Sequence, residues 1–493
     1  MSRESISRRR ALGLLGLGAA SVAAGATGWV TGLGGKEVTG GSSLEVRGQP
    51  LTEPEELTSR AGVLPVQLTA APGVPLAGRD TLGWGFNGTS PGPTLRVRPG
   101  ELLRIRLVNE LGQPTNLHTH GLHVSPRDNG DNPFLHIEPG TSFDYEIRVP
   151  PDHPTGTFWY HPHHHGTVAD QIFAGLAGAL LIEGGPALAH RERVLLVTDT
   201  TLDRDGHVVP VDAMTRVLGR EGELVLVNGQ YQPVIPAAPG TTERWRVING
   251  CTSRVLALRL EGHRLTQVAL DGRFLPAPTP RESVVLAPGN RADLLIQPTA
   301  TGTYALISEA FSRGSMMAGA MVDRGPVTSS RTVLATLNAT GPATTPAPLP
   351  RSLPAPAAPA DPISRTRRLT FAMGMGMGGV GTGGMTNFTI DGRAFDAGRD
   401  DQTIPLGATE EWTVVNTSPM VHPFHLHVWP VHVVADSTGT PPLAVQQDVV
   451  LVPAEGWVRL RVAFTDYPGR SVYHCHVLDH EDAGMMATAS VVG

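Results

Sequence analysis

The sequence predicts an all-β protein built from three related Greek-key β-sandwich domains. Two observations lead to this prediction. The 58 glycines and 43 prolines among 493 residues are typical of turns and strands, and they argue against helical bundles and coiled coils. A phrase of alternating apolar and polar residues also occurs three times, while few segments have helical periodicity.

Each copy of the repeated phrase is a turn, an alternating strand and an asparagine at the end of the strand. The copies span residues 99–109, 239–249 and, more loosely, 406–416. A unit that recurs at intervals of domain size indicates several domains of common fold. We therefore expect three antiparallel sandwiches with Greek-key connections.

Composition sets the domain boundaries. Residues 1–26 combine a run of arginines, a short apolar stretch and an Ala-Gly-Ala site, and they resemble a twin-arginine signal peptide; a membrane anchor is the alternative. The domains are predicted at 45–186, 190–327 and 366–493, with an extended Pro/Ala-rich linker at 338–362. The mature protein is expected to be exported to the periplasm or beyond, without a membrane span.

Charge and cysteine content exclude several functions. The formal net charge is −6 and there is no basic patch, so nucleic acid is not an expected partner. Lys36 is the only lysine, so the predicted domains contain no lysine that could take part in catalysis. Two cysteines exclude a disulfide framework, a four-cysteine zinc module and an iron–sulfur cluster, whereas nineteen histidines exceed what packing requires.

Most of these histidines lie in four short clusters in the first and third predicted domains. The clusters are His118-Thr119-His120, His161-Pro162-His163, His422-Pro423-Phe424-His425-Leu426-His427, and His474-Cys475-His476 followed by His480 and Met485. Side chains two apart on a strand point to the same side, so each His-x-His directs two imidazoles to one side. Cys475 must then point away from His474 and His476. By the same parity His425 and His427 share a side, and His422 faces away.

These two faces predict two metal sites back to back. One face gathers Cys475, His422, His480 and Met485, and a thiolate with two imidazoles and a weak thioether is typical of a blue, electron-transfer copper rather than of zinc. The other face gathers His118, His120, His161, His163, His425, His427, His474 and His476. Eight imidazoles are too many for one metal, and three copper ions fit them best. A binuclear zinc hydrolase would need bridging carboxylates, which these motifs lack.

The four motifs, in this order, resemble those of the multicopper oxidases, the family of laccases, copper efflux oxidases and bilirubin oxidases. The resemblance covers nearly all of the mature chain and implies cupredoxin-like domains that hold four copper ions. It assigns a type 1 copper to His422, Cys475, His480 and Met485, a type 2 copper to His118 and His425, and a type 3 pair to His120, His161, His163, His427, His474 and His476. It also implies that electrons from a small reductant pass through Cys475 to the other three coppers, where dioxygen is reduced to water.

The formation of water requires acids near the eight histidines. Glu481 matches the acidic residue that the family has on the oxygen-reducing side. In the first domain the candidates are Asp131 and Asp128, of which Asp131 is favoured; the alternative for each is a solvated turn carboxylate. Thr119 stands where the family often has tryptophan, and this difference from the family pattern removes no metal ligand.

Several alternatives stay open. A non-enzymatic, exported protein that binds or sequesters copper is the alternative function. The reductant is a phenol or aromatic amine, or else Cu(I), because Met373, Met375, Met377 and Met385 either gather cuprous ions or line a core face. Cys251 is interpreted as a core thiol and Asp448 as a residue that caps or orients a strand. A monomer is expected, since one chain supplies all the ligands.

Overall fold

The computed structural model describes residues 48–315, 326–346, 348–374 and 387–493. The predicted signal segment and Met375, Met377 and Met385 lie outside these ranges. The described part of the chain is almost entirely β-structure, as predicted. None of its helices is long and apolar enough to cross a membrane.

The first region packs two sheets around one core. Its elements are β1 (Glu56–Thr58), β2 (Val63–Leu76), β3 (Arg79–Phe86), β4 (Gly92–Val97), β5 (Leu102–Asn109), β6 (His118–His120), β7 (Ser142–Arg148), β8 (Gly156–His161), α1 (Val168–Phe173) and β9 (Gly178–Ile182). One sheet has the order β1-β4-β9-β8-β6 and the other β3-β2-β5-β7. Apolar side chains of both sheets, such as Leu68 and Phe158, fill the space between them. This arrangement leaves β6, with two histidines, at the edge of its sheet.

The central region has the larger sheets. Its elements are β10 (Arg191–Thr200), α2 (Ala213–Leu218), β11 (Leu224–Val227), β12 (Gln230–Tyr231), β13 (Val234–Ala237), β14 (Glu243–Asn249), β15 (Leu256–Leu260), β16 (Leu265–Leu270), β17 (Arg273–Arg281), β18 (Val284–Leu286), β19 (Arg291–Ile296), β20 (Gly302–Glu309), β21 (Phe311–Ser315), β22 (Pro326–Ser329) and β23 (Thr332–Ala339). The sheets run β12-β11-β10-β14-β19-β16-β17 and β13-β23-β20-β15-β18, with β21-β22 as a hairpin. Strand β23 lies beyond the predicted boundary at 327, yet it pairs with β13 and β20 inside the second sheet.

The third region again packs two sheets. Its elements are β24 (Arg365–Gly374), β25 (Asn387–Ile390), β26 (Gln402–Pro405), β27 (Ala408–Asn416), β28 (His422–Leu426), β29 (Val431–Asp436), β30 (Gln446–Gln447), β31 (Val449–Val452), β32 (Trp457–Phe464), β33 (Gly469–Cys475), α3 (Leu478–Asp482) and β34 (Met486–Val492). The sheets run β25-β24-β27-β32-β29-β30 and β26-β34-β33-β28-β31. Strands β28 and β33, which carry two of the histidine clusters, are neighbours within the second sheet.

The asparagine that ends each repeated phrase has the same function three times. Asn109, Asn249 and Asn416 each donate their side-chain amide to two backbone carbonyls, one in the loop that follows and one 28 or 37 residues later. Each side-chain oxygen also accepts the backbone N–H two residues later. One side chain therefore satisfies several buried backbone groups where the strand ends, which explains why the phrase closes on asparagine.

The prediction of purely antiparallel sheets is wrong in one respect. The repeated strands β5, β14 and β27 pair in parallel with β2, β10 and β24, and antiparallel with β7, β19 and β32. Alternation along a strand fixes which face is buried, but it does not fix the direction of the neighbouring strand. The sheets are therefore mixed within a Greek-key, all-β architecture.

Candidate metal centre

The register of two strand pairs brings the histidine clusters together. In the first region His118 of β6 lies opposite His161 of β8. In the third region His425 of β28 lies opposite His474 of β33. Directly opposed residues project to the same face of a sheet, so each pairing places imidazoles from two sequence clusters side by side.

Eight imidazoles from these strands form one buried cluster. Its members are His118, His120, His161, His163, His425, His427, His474 and His476, each at most 2% exposed. The Nε2 atom of His474 lies 3.1 Å from the Nε2 atoms of both His163 and His427. On the other side of the cluster, Nδ1 of His120 lies 3.3 Å from Nε2 of His161. The nitrogens thus converge in small groups, as metal ligands do.

Five of the eight rings have a buried nitrogen without a hydrogen-bond partner among the described residues, and in two of them an aspartate holds the other nitrogen. His118 directs Nδ1 to the Asp131 carboxylate at 2.9 Å, and His425 donates from Nδ1 to the Asp448 carbonyl at 2.7 Å. The Nε2 atoms of both rings are buried and have no hydrogen-bond partner among the described residues. Buried polar atoms are nearly always paired, so these two nitrogens fit a bound metal ion.

A second group lies on the opposite face of β33. The Cys475 sulfur is 3.2 Å from Nδ1 of His422 and 3.9 Å from Nδ1 of His480. Ser418 contacts the remote nitrogen of His422 at 2.7 Å, and Nε2 of His480 donates to the Val217 carbonyl at 3.0 Å. The Nε2 atom of each ring therefore has a hydrogen-bond partner, and the Nδ1 atom of each ring faces the sulfur.

Backbone hydrogen bonds hold Met485 beside this second group. Its carbonyl accepts the N–H of Cys475 at 3.0 Å, and its own N–H donates to the His480 carbonyl at 2.9 Å. Met485 is fully buried, and the ring of Phe388 stacks on that of His480 with 4.4 Å between centroids. The set of donors, two imidazoles and one thiol with a methionine alongside, suits a copper site better than a zinc site.

Burial keeps the imidazoles in the neutral form that binds metals. It lowers the pKa of His161 and His422 to about 3 and that of His163 to about 4. It also lowers the pKa of the histidines at 118, 120, 425, 427, 476 and 480. Burial raises the pKa of the Cys475 thiol, so metal binding must displace its proton.

The predicted acids occupy different surroundings. Glu481 is buried, with one oxygen 3.0 Å from Nδ1 of His474 and the other 3.3 Å from Nε2 of His163. Burial acts to raise the pKa of Glu481, but these two imidazoles hold it below its usual range. Asp131 is buried against His118, and burial raises its pKa to about 7. Asp128 instead lies in an exposed turn.

Sequence reasoning missed two residues at the cluster. The Asp448 carboxylate lies 3.1 Å from Nε2 of His120, and Arg291 of the central region binds the same carboxylate through two hydrogen bonds. Asp448 is predicted only to cap or orient a strand. Arg291 has no motif around it, and 157 residues separate the pair, so no local pattern could have joined them.

The predicted core thiol, one predicted methionine and two histidines that follow the second cluster lie outside both groups. Cys251 is a buried thiol of the central core, as expected. His164 contacts His136 at 2.7 Å near the surface, and His165 packs against Phe395. Met373 is half-buried against the core of the third region.

Comparison with known proteins gives consistent matches. Three segments, residues 68–187, 157–326 and 375–492, match sequence profiles described as multicopper oxidase. The chain is 28% identical over 420 residues to the multicopper oxidase mco of Staphylococcus haemolyticus, covering 83% of each chain. It is 30% identical over 410 residues to the cell division protein FtsP of Sodalis glossinidius, covering 78% of this chain and 82% of that one. A solved multicopper oxidase from Campylobacter jejuni, described as a metallo-oxidase, has a TM-score of 0.80 and 30% identity, covering 91% of this chain and 96% of that one.

Proposed function

This chain belongs to the multicopper oxidase family, and on that premise we propose that it couples four one-electron oxidations of a small reductant to the reduction of dioxygen to water. The family implies copper as cofactor and oxygen as acceptor. The observation that supports the proposal most is the pair of buried, unpartnered Nε2 atoms on His118 and His425 beside six further imidazoles.

The residues proposed to hold copper follow from the donor groups. Nδ1 of His422, Nδ1 of His480 and the Cys475 sulfur, with Met485, would hold a type 1 copper. His118 and His425 would hold a type 2 copper through Nε2. The type 3 pair would take His163, His427 and His474 on one ion and His120, His161 and His476 on the other. Bound copper supplies the one-electron redox chemistry that amino acid side chains lack.

The chain itself connects the two groups. Cys475 is covalently flanked by His474 and His476, so a few bonds join its sulfur to both imidazoles. All three side chains are fully buried, which keeps water out of the connection. We propose that this short segment carries the electrons from the first group to the second.

Two carboxyl groups are proposed to manage protons. Glu481 is within 3.3 Å of nitrogens on His163 and His474 and so borders the proposed type 3 site. Asp131 borders the proposed type 2 site through His118. A positioned acid within reach of a reacting group is the usual device for proton transfer.

The alternative function is copper sequestration without catalysis, and the resemblance to a cell division protein makes it worth testing. We expect copper-loaded protein to bind four copper ions per chain, to be blue and to consume oxygen when a phenol such as 2,6-dimethoxyphenol is added. Oxygen consumption should depend on copper, with copper-free protein as the control. Copper-loaded protein that is colourless and consumes no oxygen would exclude the oxidase function and leave copper sequestration as the function.

The reductant is proposed to be a phenol, an aromatic amine or Cu(I). Export by the twin-arginine route and a monomeric state are also proposed. Met373 contacts the core of the third region and pairs across β24 and β25 with Phe388, which favours a packing role for this methionine. Met375 and Met377 share its strand parity in the sequence but lie outside the described residues.

A variant with Met373, Met375 and Met377 changed to alanine tests the reductant. If Cu(I) is the reductant and these thioethers gather it, the variant should oxidise Cu(I) several-fold more slowly while its oxidation of the phenol is unchanged, because thioethers favour Cu(I). The single variant Met373→Leu preserves volume and is the packing control. Unchanged oxidation of Cu(I) by the triple variant would rule out a role for these methionines.

A further inference from the structure

We infer that the central region, which contributes none of the proposed ligands, positions the eight-histidine cluster through Arg291 and Asp448. The inference rests on the proposed copper function. Arg291 and Asp448 connect the cluster to the central region.

Asp448 determines which nitrogen two of the histidines present. Its carboxylate accepts from Nε2 of His120 at 3.1 Å, leaving Nδ1 of that ring to face His161. Its backbone carbonyl accepts from Nδ1 of His425 at 2.7 Å, leaving Nε2 of that ring free. One residue therefore imposes opposite ring orientations on a histidine of the first region and a histidine of the third.

Asp448 is in turn held by the central region. Arg291 donates from Nη1 and Nη2 to the two carboxylate oxygens at 2.6 and 2.7 Å. The side chain of Asp271 accepts the backbone N–H of Asp448 and that of Val449, each at 3.2 Å. Asn290 donates to the Val449 carbonyl at 3.0 Å. Both the side chain and the backbone of Asp448 are thus fixed by residues of the central region.

Arg291 has little freedom to move. It is fully buried, and it donates to the Gly289 carbonyl at 3.1 Å and to the Thr157 carbonyl at 3.2 Å. The planar guanidinium matches a carboxylate with two parallel bonds, which fixes orientation as well as distance. Since both oxygens of Asp448 are occupied by Arg291, Asp448 is better suited to orienting a ligand than to binding a metal.

Two glycines make room for this contact. Gly121, which follows the first histidine pair, has a φ of +86°, and a Cβ there would overlap the Arg291 guanidinium and the Asp448 carboxylate. Gly289 of the central region has a φ of +89°, and its Cβ would lie 3.0 Å from Nε2 of His476 and 3.1 Å from Cε1 of His120. The central region therefore approaches the cluster closely, through its backbone at Gly289 and through the Arg291 side chain beside Gly121.

The test compares Arg291→Gln with Arg193→Gln after loading with copper(II) alone. Arg193 is a matched control, because it too is a buried arginine of the central region with a two-bond contact to a buried carboxylate, that of Glu243. We expect Arg291→Gln to keep the blue band but to release copper from the eight-histidine cluster to a chelator about 10–100-fold more readily. The EPR spectrum of the copper in the cluster should also change, because the carboxylate that orients His120, a proposed type 3 ligand, loses its guanidinium partner. Arg193→Gln should keep both properties even if it melts earlier.

Two conservative variants keep the test decisive if Arg291→Gln does not fold. Arg291→Lys should restore part of the copper retention, and Asp448→Asn should change the EPR spectrum of the copper in the cluster through His120, a proposed type 3 ligand, without removing side-chain volume. Wild-type copper retention and EPR in Arg291→Gln, or in Asp448→Asn where the former is insoluble, would overturn the inference. Wild-type protein that binds no copper would instead refute the proposed function.

Discussion

Replacement of Cys475 by serine is expected to abolish both the blue absorption and oxygen consumption. The thiol lies 3.2 Å from Nδ1 of His422 and 3.9 Å from Nδ1 of His480, and it is the only thiol near either ring in the described residues. A serine hydroxyl is similar in size, but it is a harder donor than a thiolate and does not match the copper preference of this group. Visible absorption, copper content and oxygen uptake of the purified variant measure the effect.

Cys251 provides the control for this prediction. It is the other cysteine of the chain, and it is equally buried, but it lies in the core of the central region beside Val197. Cys251→Ser should lower stability without changing colour or turnover. The Cys475→Ser variant should retain copper in the eight-histidine cluster, and a variant that remains blue would contradict the assignment of Cys475.

The exchange of Glu481 for glutamine is expected to slow reoxidation by dioxygen by about 100-fold or more, the usual contribution of a positioned acid or base. Glutamine preserves the shape of the side chain but cannot deliver or accept a proton. Because Glu481 contacts His163 and His474 and not the Cys475 group, reduction of the blue copper by substrate should be unchanged. Stopped-flow measurement of bleaching and of the return of colour separates the two steps.

A displacement of helix α3 would also explain slow reoxidation in Glu481→Gln, and Asp479→Asn is the control for this effect. Asp479 lies on the same helix and is buried against Arg220, which donates to it at 2.6 Å. Asp479→Asn weakens the attachment of the helix without touching the histidine cluster, so reoxidation should stay near the wild-type rate. Wild-type reoxidation in Glu481→Gln would remove this carboxylate from the proton pathway.

The sequence was most informative where a local period determines the structure. Alternation along a strand predicts that His425 and His427 share a face that His422 avoids, and the structure has His422 beside Cys475 and the other two in the cluster. The terminal asparagines of the repeated phrases likewise mark three equivalent strand ends. These features depend on residues only a few positions apart.

Contacts between distant segments could not be predicted from the sequence. The parallel pairing of β2 with β5, and the bond from His480 to the Val217 carbonyl, depend on how strands and loops meet in space. The Arg291–Asp448 contact similarly joins two segments that carry no shared pattern. Long-range register follows from the packing of whole sheets, which single-sequence periodicity does not encode.

The proposed ligands come from segments that lie far apart in the sequence, and this separation constrains the time at which metal can be acquired. His163 and His474, whose nitrogens lie 3.1 Å apart, are separated by 311 residues. Contacts of such sequence separation form late, after the loops between them have closed. A chain still emerging from the ribosome therefore has no complete cluster, and the order of maturation is folding first and metal capture second. A cluster occupied by metal would accordingly indicate that the last strands of the chain have reached their native positions.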